Sequence, residues 1–198
     1  YKDLYYAEVA GRMDASSRFG KDHRWGMFWS LGFMWNIKNE AFLKDIEWLT
    51  NAQIKLSTGT SGNSEIPYYD HLALVAGDAN YNDEAGIYPK QSGNEELSWE
   101  QTWANNIGLT LGIFNRVNLN VDFYHKKTTN MLMLVPQSYA ITGVGNRWDN
   151  IGAMMNRGVE IAMDGDVIRT KDFTWNLSAN VSYNKNKLCL LYTSPSPR

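Results

Sequence analysis

In the stretch WGMFWSLGFMWNI, residues 25–37, every second residue is large and apolar. These large apolar residues are Trp25, Met27, Trp29, Leu31, Phe33, Trp35 and Ile37. Successive side chains of a β-strand point to opposite faces, so the pattern predicts a strand with one continuous apolar face. Such a strand would be roughly 43 Å long and, tilted by about 45°, would rise about 30 Å, the hydrocarbon thickness of a bilayer. The stretch therefore predicts a membrane-spanning β-strand.

The same alternation recurs in six further segments, which are residues 5–13, 53–57, 103–113, 117–124, 159–164 and 173–184. A series of such segments is much more specific than one, and it predicts an all-β fold, an antiparallel transmembrane β-barrel segment of about seven strands. We expect the large apolar side chains to face lipid. Among them are Trp25, Trp29, Leu31, Phe33, Trp35, Leu109, Leu111 and Trp175.

The polar side chains that alternate with the apolar ones predict a second, hydrated face. In the last segment they are only Asn, Ser and Thr, small neutral groups that suit a water-filled lumen. We expect a lumen-facing set made of Asn118, Asn120, Asp122, Asn176, Ser178 and Asn180. A soluble carbohydrate-binding β-sandwich with one buried face would alternate in the same way, so this alternative stays open on pattern alone.

Composition restricts the class of protein further. The 8 Trp and 11 Tyr are enough to form aromatic belts at two membrane interfaces. No apolar run of about 20 residues is present, which argues against a helical membrane protein. The net charge of -2 comes without a basic stripe, so we expect no nucleic-acid partner. The lone Cys189 has no partner for an intrachain disulfide.

The connections between the candidate strands alternate in length. Residues 114–116 form a tight turn, whereas residues 59–97 and 126–150 form long connections. Outer-membrane barrels have short periplasmic turns and long extracellular loops, so the long connections are predicted to lie outside the cell. Residues 38–50 and 165–172 then lie inside. Either no strand or two strands within 59–97 would preserve the up-and-down order.

No pattern in the sequence indicates an enzyme, a metal site or a cofactor. The residues that first suggest chemistry are Asp70, the histidines His23, His71 and His125, and the acids Glu95, Glu96 and Glu100. The histidines lack metal-ligand spacing, and the Asp-His pair has no G-x-S-x-G nucleophile elbow. The acids fit a solvated surface better than the carboxylate pair of a glycosidase.

Six ordered segments resemble the SusC/RagA-type TonB-linked outer-membrane proteins. They are RMDASSRFGKDHRWGMFWSLGFMWNIKNEAF (12–42), IKLSTGTSGNSEI (54–66), GNEELSWEQTWANNIGL (93–109), DFYHKKTTNML (122–132), NIGAMMNRGVEI (150–161) and DFTWNLSANVSYNKNK (172–187). The family patterns that they resemble include R-x-D-x-S-S-R-F, G-N-x-x-L-x-W-E and N-x-G-x-x-x-N-x-G-V-E. Ala15 and Trp29 stand where the family commonly has Gly and Pro, and neither change threatens the fold.

The resemblance implies a transporter that imports oligosaccharides, or in some members peptides, across the outer membrane of a Bacteroidota-type bacterium. It implies a barrel of about 22 strands with a plug and a TonB-engaging motif in a part before Tyr1, a SusD-like lipoprotein lid, and contact with outer-membrane lipid. Residues 1–188 would supply about a third of the wall. Four tyrosines of the longest connection are candidates for contact with substrate or lid: Tyr68, Tyr69, Tyr81 and Tyr88.

The segment CLLYTSPSPR, residues 189–198, ends the family pattern. It resembles translated sequencing-adapter read-through of the kind found at the ends of metagenomic fragments. We therefore expect these residues to be non-native sequence.

Overall fold

The computed structural model describes residues 1–81 and 84–190, whose main feature is one antiparallel sheet of seven long strands. In chain order the strands are β1 (Tyr5–Ala15), β2 (Trp25–Asn36), β3 (Leu49–Asn63), β4 (Leu74–Tyr81), β5 (Glu84–Gln91), β6 (Glu100–Ile113), β7 (Val117–Thr129), β8 (Leu132–Pro136), β9 (Asn146–Asn150), β10 (Ala153–Arg169) and β11 (Thr174–Leu190). The large sheet has the order β1-β2-β3-β6-β7-β10-β11, while β4-β5 and β8-β9 form two separate hairpins. The sheet is open, with β1 and β11 at its edges, and the predicted all-β antiparallel fold is confirmed.

Apolar side chains of the seven strands line up in rows across the sheet. One row is Tyr5, Trp35, Ile54, Leu109, Val121, Ile161 and Val181. The next row is Ala7, Phe33, Leu56, Ile107, Phe123, Val159 and Tyr183. We call the face that carries these two rows the apolar face, and the opposite face of the same strands the polar face. The alternation of strand side chains thus continues coherently over all seven strands.

The apolar face has no covering layer among the described residues. Val181 is 68% exposed, Ile107 is 55% exposed and Phe123 is 52% exposed. A soluble β-sandwich would bury such side chains against a second sheet, and the two small hairpins of the described chain supply none. An apolar surface of this extent is typical of a protein that contacts lipid or another large apolar partner.

Helices play a small part in the described chain. They are a 3-10 turn at Ile37–Asn39 and the helix α1 at Tyr139–Thr142. Among the described residues no helix has the length and apolar character needed to cross a membrane.

The connections alternate in length between the two ends of the sheet. At one end, the turn end, lie residues 37–48, 114–116 and 170–173; at the other, the loop end, lie 16–24, 64–99 and 130–152. The two hairpins lie in the two longest loops, so residues 59–97 contain two strands that are not part of the wall. The two connections predicted to be long both lie at the loop end, and those predicted to lie inside are at the turn end. Residues 16–24 are the exception in length, since this loop-end connection is shorter than residues 37–48 at the turn end.

Several strands are longer than the sequence pattern predicts. β3 extends from Leu49 to Asn63, where Ser, Thr and Gly weaken the apolar signal, so the loop predicted from residue 59 begins at residue 64. β10 continues to Arg169, so the turn predicted at 165–172 shortens to 170–173. The pattern did not reveal this part of the strand because a register shift between Asp166 and Ile168 breaks the alternation there. β11 continues to Leu190, into the segment predicted to be a tail. Residues 191–198 lie outside the described residues, so that tail remains a prediction.

The apolar rows generate a mutational prediction. Val121 lies in a fully apolar row between Leu109 and Ile161, whereas its neighbour Asn120 lies on the polar face. Val121→Arg, in a complete receptor that carries this segment, should lower the free energy of unfolding in bilayers by about 2 to 4 kcal/mol, because a charge near the bilayer midplane loses its hydration. The matched variant Asn120→Arg should cost much less. Urea unfolding in lipid vesicles measures the free energy of unfolding of both variants. Equal losses of free energy would contradict the assignment of Val121 to the apolar face and Asn120 to the polar face.

Candidate functional site

The best-packed part of the described chain lies between the three loops at the loop end. Phe19 and Leu97 are fully buried, and Ile66 is nearly so. Around them pack Trp99, Leu132 and Trp148. We call these six residues the loop core. Residues 16–24, 64–99 and 130–152 all contribute to it, so the three loops pack together as one unit.

The loop core rests against the polar face of the wall. Phe28 of β2 lies on the polar face and is only 3% exposed, with its ring 5.4 Å from that of Trp99 in an edge-to-face arrangement. Phe19 packs on the same indole at 5.6 Å, and the Trp99 indole N–H donates to the carbonyl of Arg24 at 2.9 Å. A Cβ atom at Gly62 would lie 2.1 Å from the Phe28 ring, so only glycine fits there. The loops therefore fold over the polar face instead of away from it.

Sequence reasoning missed the role of Phe28 and Trp99. One signal was available, since Phe28 is a large aromatic residue flanked on its own face by Gly26 and Ser30. Such a residue on a hydrated face needs a partner, but alternation alone does not identify it, because Trp99 comes from a distant loop.

Asn150 joins two of the loops by hydrogen bonds. Its side-chain oxygen accepts the backbone N–H of Ser98 at 2.8 Å, and its amide donates to the carbonyls of Ser98 and Asn130, each at 2.9 Å. Nearby, the backbone N–H of Leu132 donates to the carboxylate of Glu100 at 3.1 Å. Glu100, expected to be a solvated acid, is thus a structural acceptor. These bonds tie the loop 64–99 to the loop 130–152.

Two of the four tyrosines predicted to contact substrate or lid form an exposed pair. Tyr68 and Tyr69 are 66% and 64% exposed, with ring centroids 6.5 Å apart. The Arg18 guanidinium lies 4.8 Å from the centre of the Tyr68 ring. Tyr69 has a φ of 70°, a left-handed conformation that costs of order 1 kcal/mol for a bulky residue and is found mostly at functional or tightly constrained positions. The Gln91 amide fixes this bend by donating to the Tyr69 carbonyl at 2.8 Å.

The other two tyrosines lie on the hairpin of β4 and β5. Tyr88 of β5 is partly exposed, and a hydrogen bond to Asp78 raises the pKa of its phenol. Tyr81 is the last residue of β4, and its side chain lies outside the described part of the structure. The structure therefore brings together Tyr68 and Tyr69 but supplies no ring contact that would join Tyr88 to them.

Beside the tyrosine pair, Asp70 and His71 lie next to the loop core. Burial raises the pKa of the Asp70 carboxyl, while a hydrogen bond from the Trp148 indole and the charge of His71 act in the opposite direction. His71 is buried, and its Nδ1 has no hydrogen-bond partner among the described residues. No cluster of His, Cys, Asp and Glu in the described chain is suited to hold a metal ion.

The residues predicted to face the lumen all lie on the polar face. Across β7, β10 and β11, Asn118 is level with Asp164 and Ser178, and Asn120 is level with Ala162 and Asn180. Several are engaged by neighbours: the Asn118 amide donates to Asp164 at 2.9 Å, Asn120 accepts from the Thr110 hydroxyl at 2.9 Å, and the Asn176 amide donates to Asp166 at 3.3 Å. These amides thus bond to side chains of neighbouring strands.

An open depression of about 450 Å³ lies on the polar face nearer the loop end. It is lined by Asn106, Asp122, Tyr124, Lys126, Asn156, Glu160 and Asn184. Asp122 is the one member of the predicted lumen set that lines it. The alternation pattern did not group the others with Asp122, because their convergence depends on pairing between strands that are distant in sequence, and Lys126 lies between His125 and Lys127 rather than between apolar residues. We call this group the polar depression; its two carboxylates, one ammonium and several amides suit a hydrated, hydrogen-bonding ligand.

The residues predicted to face lipid all lie on the apolar face. On β2 these are Trp25, Trp29, Leu31, Phe33 and Trp35, on β6 Leu109 and Leu111, and on β11 Trp175. Two of the indoles have polar partners near the ends of the sheet. The Trp35 N–H donates to Glu40 at the turn end, and the N–H of Trp103 on the same face donates to Thr58 toward the loop end. Indoles placed in this way are typical of the two interfaces of a membrane.

Removal of the Asn150 side chain should loosen the loops. Asn150→Ala leaves the Ser98 N–H and two carbonyls without their partner, at a cost of about 1 to 2 kcal/mol. In the complete receptor we expect roughly tenfold faster cleavage within 64–99 and 130–152 in limited proteolysis. Asn146→Ala, at an exposed position of the same strand, is the control and should leave the cleavage rate unchanged. Equal cleavage rates in both variants would exclude the role of Asn150 in joining the two loops.

The raised pKa of Asp70 makes the stability of the loop core depend on pH. Because the folded state holds the proton more tightly than the unfolded state, stability should be highest at acid pH and fall as the pH rises through the folded pKa. Asp70→Asn should abolish this decline, since the amide oxygen still accepts from Trp148. The decline is measured as the protease resistance of the loops from pH 4 to pH 7. Asp172→Asn, at the turn end, is the control and should leave the decline unchanged. An unchanged pH slope in Asp70→Asn would contradict the account.

Comparison with known proteins agrees with this geometry. The family described as TonB dependent receptor-like, beta-barrel, matches residues 3–196. SusC, a TonB-dependent receptor of Bacteroides thetaiotaomicron, is 37% identical over 192 residues, which is 91% of this chain and 19% of SusC. A TonB-dependent receptor of Formosa agariphila is 37% identical over 189 residues, 95% of this chain and 18% of the relative.

Solved structures of the RagAB peptide importer have the same architecture. In its closed-closed state the match has a TM-score of 0.89 at 38% identity and covers 97% of this chain and 22% of that one. In the open-open state the TM-score is 0.86. The chain thus spans about a fifth of the length of its relatives. The predicted resemblance is confirmed, as is the expectation of a non-enzymatic protein, because this family consists of outer-membrane receptors and transporters. The chain belongs to the TonB-dependent receptor family and forms part of its β-barrel.

Proposed function

We propose that this chain is part of the wall of an outer-membrane transporter that imports oligosaccharides or peptides into a Bacteroidota-type cell. The observation that carries the proposal is the pair of unbroken apolar rows on one face of a sheet whose other face is polar and roofed by packed loops. Likeness to the RagAB peptide importer supports peptides as cargo. The motif resemblance to the SusC/RagA type supports oligosaccharides as the other class.

The two faces of the sheet have different tasks in this function. The apolar face contacts lipid, and its exposed Trp and Phe side chains are stable there because the bilayer takes the place of a protein core. The polar face lines the lumen, where water, plug or passing substrate satisfies its amides and carboxylates. Transport needs no covalent step. The chain therefore contributes to it through hydrogen bonds and stacking contacts with the substrate.

Two places in the described chain are suited to contact a hydrated substrate. At the loop end, Tyr68 and Tyr69 offer exposed ring faces that would stack on sugar rings or on planar peptide groups. Further along the wall, Asp122, Lys126 and Glu160 of the polar depression offer charged and hydrogen-bonding groups. Substrate would meet the tyrosine pair first and the depression second.

The partners in this function follow from the family. A SusD-like lipoprotein would cover the loop end, where the loop core presents three loops as one packed surface. TonB would act from the periplasm on a plug. Both partners are proposed from the motif resemblance and from the kinship with SusC and RagAB.

Uptake by cells tests the proposal. A deletion strain that carries the complete receptor should take up labelled peptide or oligosaccharide in a manner abolished by a protonophore. The double variant Tyr68→Ala with Tyr69→Ala should reduce uptake at low substrate concentration by about tenfold, since two aromatic contacts are lost. Tyr139→Ala removes another exposed loop tyrosine and should have no effect. Uptake that is independent of the receptor for both substrate classes would refute the function.

A further inference from the structure

Four cations point outward from the apolar face near the loop end. They are Lys127 of β7, Arg157 of β10, and Lys185 and Lys187 of β11. We call them the outward cation cluster. Arg157 is directly opposite Lys185, while Met155 is opposite Lys127 on one side and Lys187 on the other. Neighbouring strands are about 4.8 Å apart and alternate residues about 7 Å apart, so the four charges occupy a small patch.

Among the described residues the cluster has no counter-charge. All four side chains are exposed, and none forms an ion pair with a described residue. The carboxylates of the described parts of β6, β7, β10 and β11 all lie on the polar face; they are Glu100, Asp122, Glu160, Asp164 and Asp166. Like charges on adjacent strands repel one another, so the patch is suited to an external anion.

The height of the cluster on the wall points to the kind of anion. The row of Phe123, Val159 and Tyr183 is the last wholly apolar one toward the loop end, and the row with His125, Arg157 and Lys185 follows it directly. In the row beyond, Lys127 is level with Trp103, whose indole marks the membrane interface. The cations therefore lie where the acyl chains of the outer leaflet end and its headgroups begin.

Within the described sheet the cluster is confined to β7, β10 and β11. At the same height on the β1 to β3 side, the outward residues are uncharged: Val9 faces Leu31, which faces Thr58. A nonspecific ring of charge would continue around the wall, whereas a local patch suits a single bound molecule. Lysine and arginine donate strong, charge-assisted hydrogen bonds to phosphate, and arginine does so with two parallel donors.

We propose that the outward cation cluster binds the phosphorylated sugar headgroup of a lipopolysaccharide molecule in the outer leaflet. Its acyl chains would lie along Phe123, Val159 and Tyr183, directly below the cations on the same face. This inference rests on the proposed outer-membrane location. It adds a specific lipid site on the outside of the wall, separate from the substrate path on the polar face.

Lipid retention by the purified receptor tests this site. The complete receptor that carries this segment is extracted from outer membranes in mild detergent, and bound lipopolysaccharide is counted by native mass spectrometry. The parent should retain it, and the variant K127Q/R157Q/K185Q/K187Q should bind it at least about a hundredfold more weakly, since each cation near an anionic surface contributes roughly fivefold. Lys126→Gln is the matched control, because Lys126 neighbours Lys127 but lies on the polar face.

Reconstitution distinguishes the possible ligands. Phosphatidylethanolamine vesicles containing lipopolysaccharide, dephosphorylated lipopolysaccharide or free inorganic phosphate are compared, and only the first should protect the cluster from lysine-modifying reagents. Equal protection by the dephosphorylated lipid, or by phosphate alone, would overturn the headgroup assignment. Crosslinking of Lys185 to a second copy or another protein in the parent membrane would show a protein interface and would also overturn it.

Two further variants separate loss of lipid binding from failure of the receptor to assemble. If the fourfold variant does not assemble, judged by its heat-modifiable mobility in gels, K185Q/K187Q is used, and it should still lose most of the lipid, whereas K185R/K187R should retain it. A receptor that fails to reach the outer membrane would refute the proposed function. A receptor that assembles and imports substrate but retains no lipopolysaccharide would refute this inference alone.

Discussion

The register of the seven-stranded sheet determines which side chains share each face of the wall. In a bilayer every backbone N–H and C=O must be paired within the sheet, while lipid contacts only apolar side chains. Val121 meets this condition because it lies between Leu109 and Ile161. A slip of one residue would place Asn120 in that row and would reverse both faces of β7. The polar depression and the outward cation cluster both exist only in this register.

A second organising feature is that the chain packs its core at the loop end and not in its wall. In the proposed function one face of the wall contacts lipid and the other contacts water, so neither face supplies a conventional hydrophobic core. Phe19, Leu97 and Trp99 supply it instead, roofing the polar face above Phe28. Phe19, Leu97, Trp99 and Asn150 all lie in the segments that resemble the family patterns. Those patterns therefore have a physical basis, which is the docking of three loops.

The sequence was informative where structure follows from local alternation and uninformative where it follows from contacts between distant segments. Period-two patterning identified all seven wall strands. It placed Trp25 on the apolar face and Asp122 on the polar face. It underestimated β3, whose last residues are Ser, Thr and Gly, and β10, whose register shift near Asp166 interrupts the period. The Asn150 hydrogen bonds join residues that are 20 and 52 positions apart, and the polar depression combines side chains of four strands. Alternation within one strand encodes neither.

Site-directed spin labelling tests whether one face of this sheet contacts lipid and the other contacts water. Single cysteines at Val121 and Asn120, introduced in the complete receptor after Cys189→Ser, can carry a nitroxide label in native membranes. We expect the label at position 121 to be accessible to oxygen and shielded from a water-soluble nickel chelate. The label at position 120 should be accessible to the chelate and less accessible to oxygen. Access of the chelate to both labels, or the reversed pattern, would contradict this expectation.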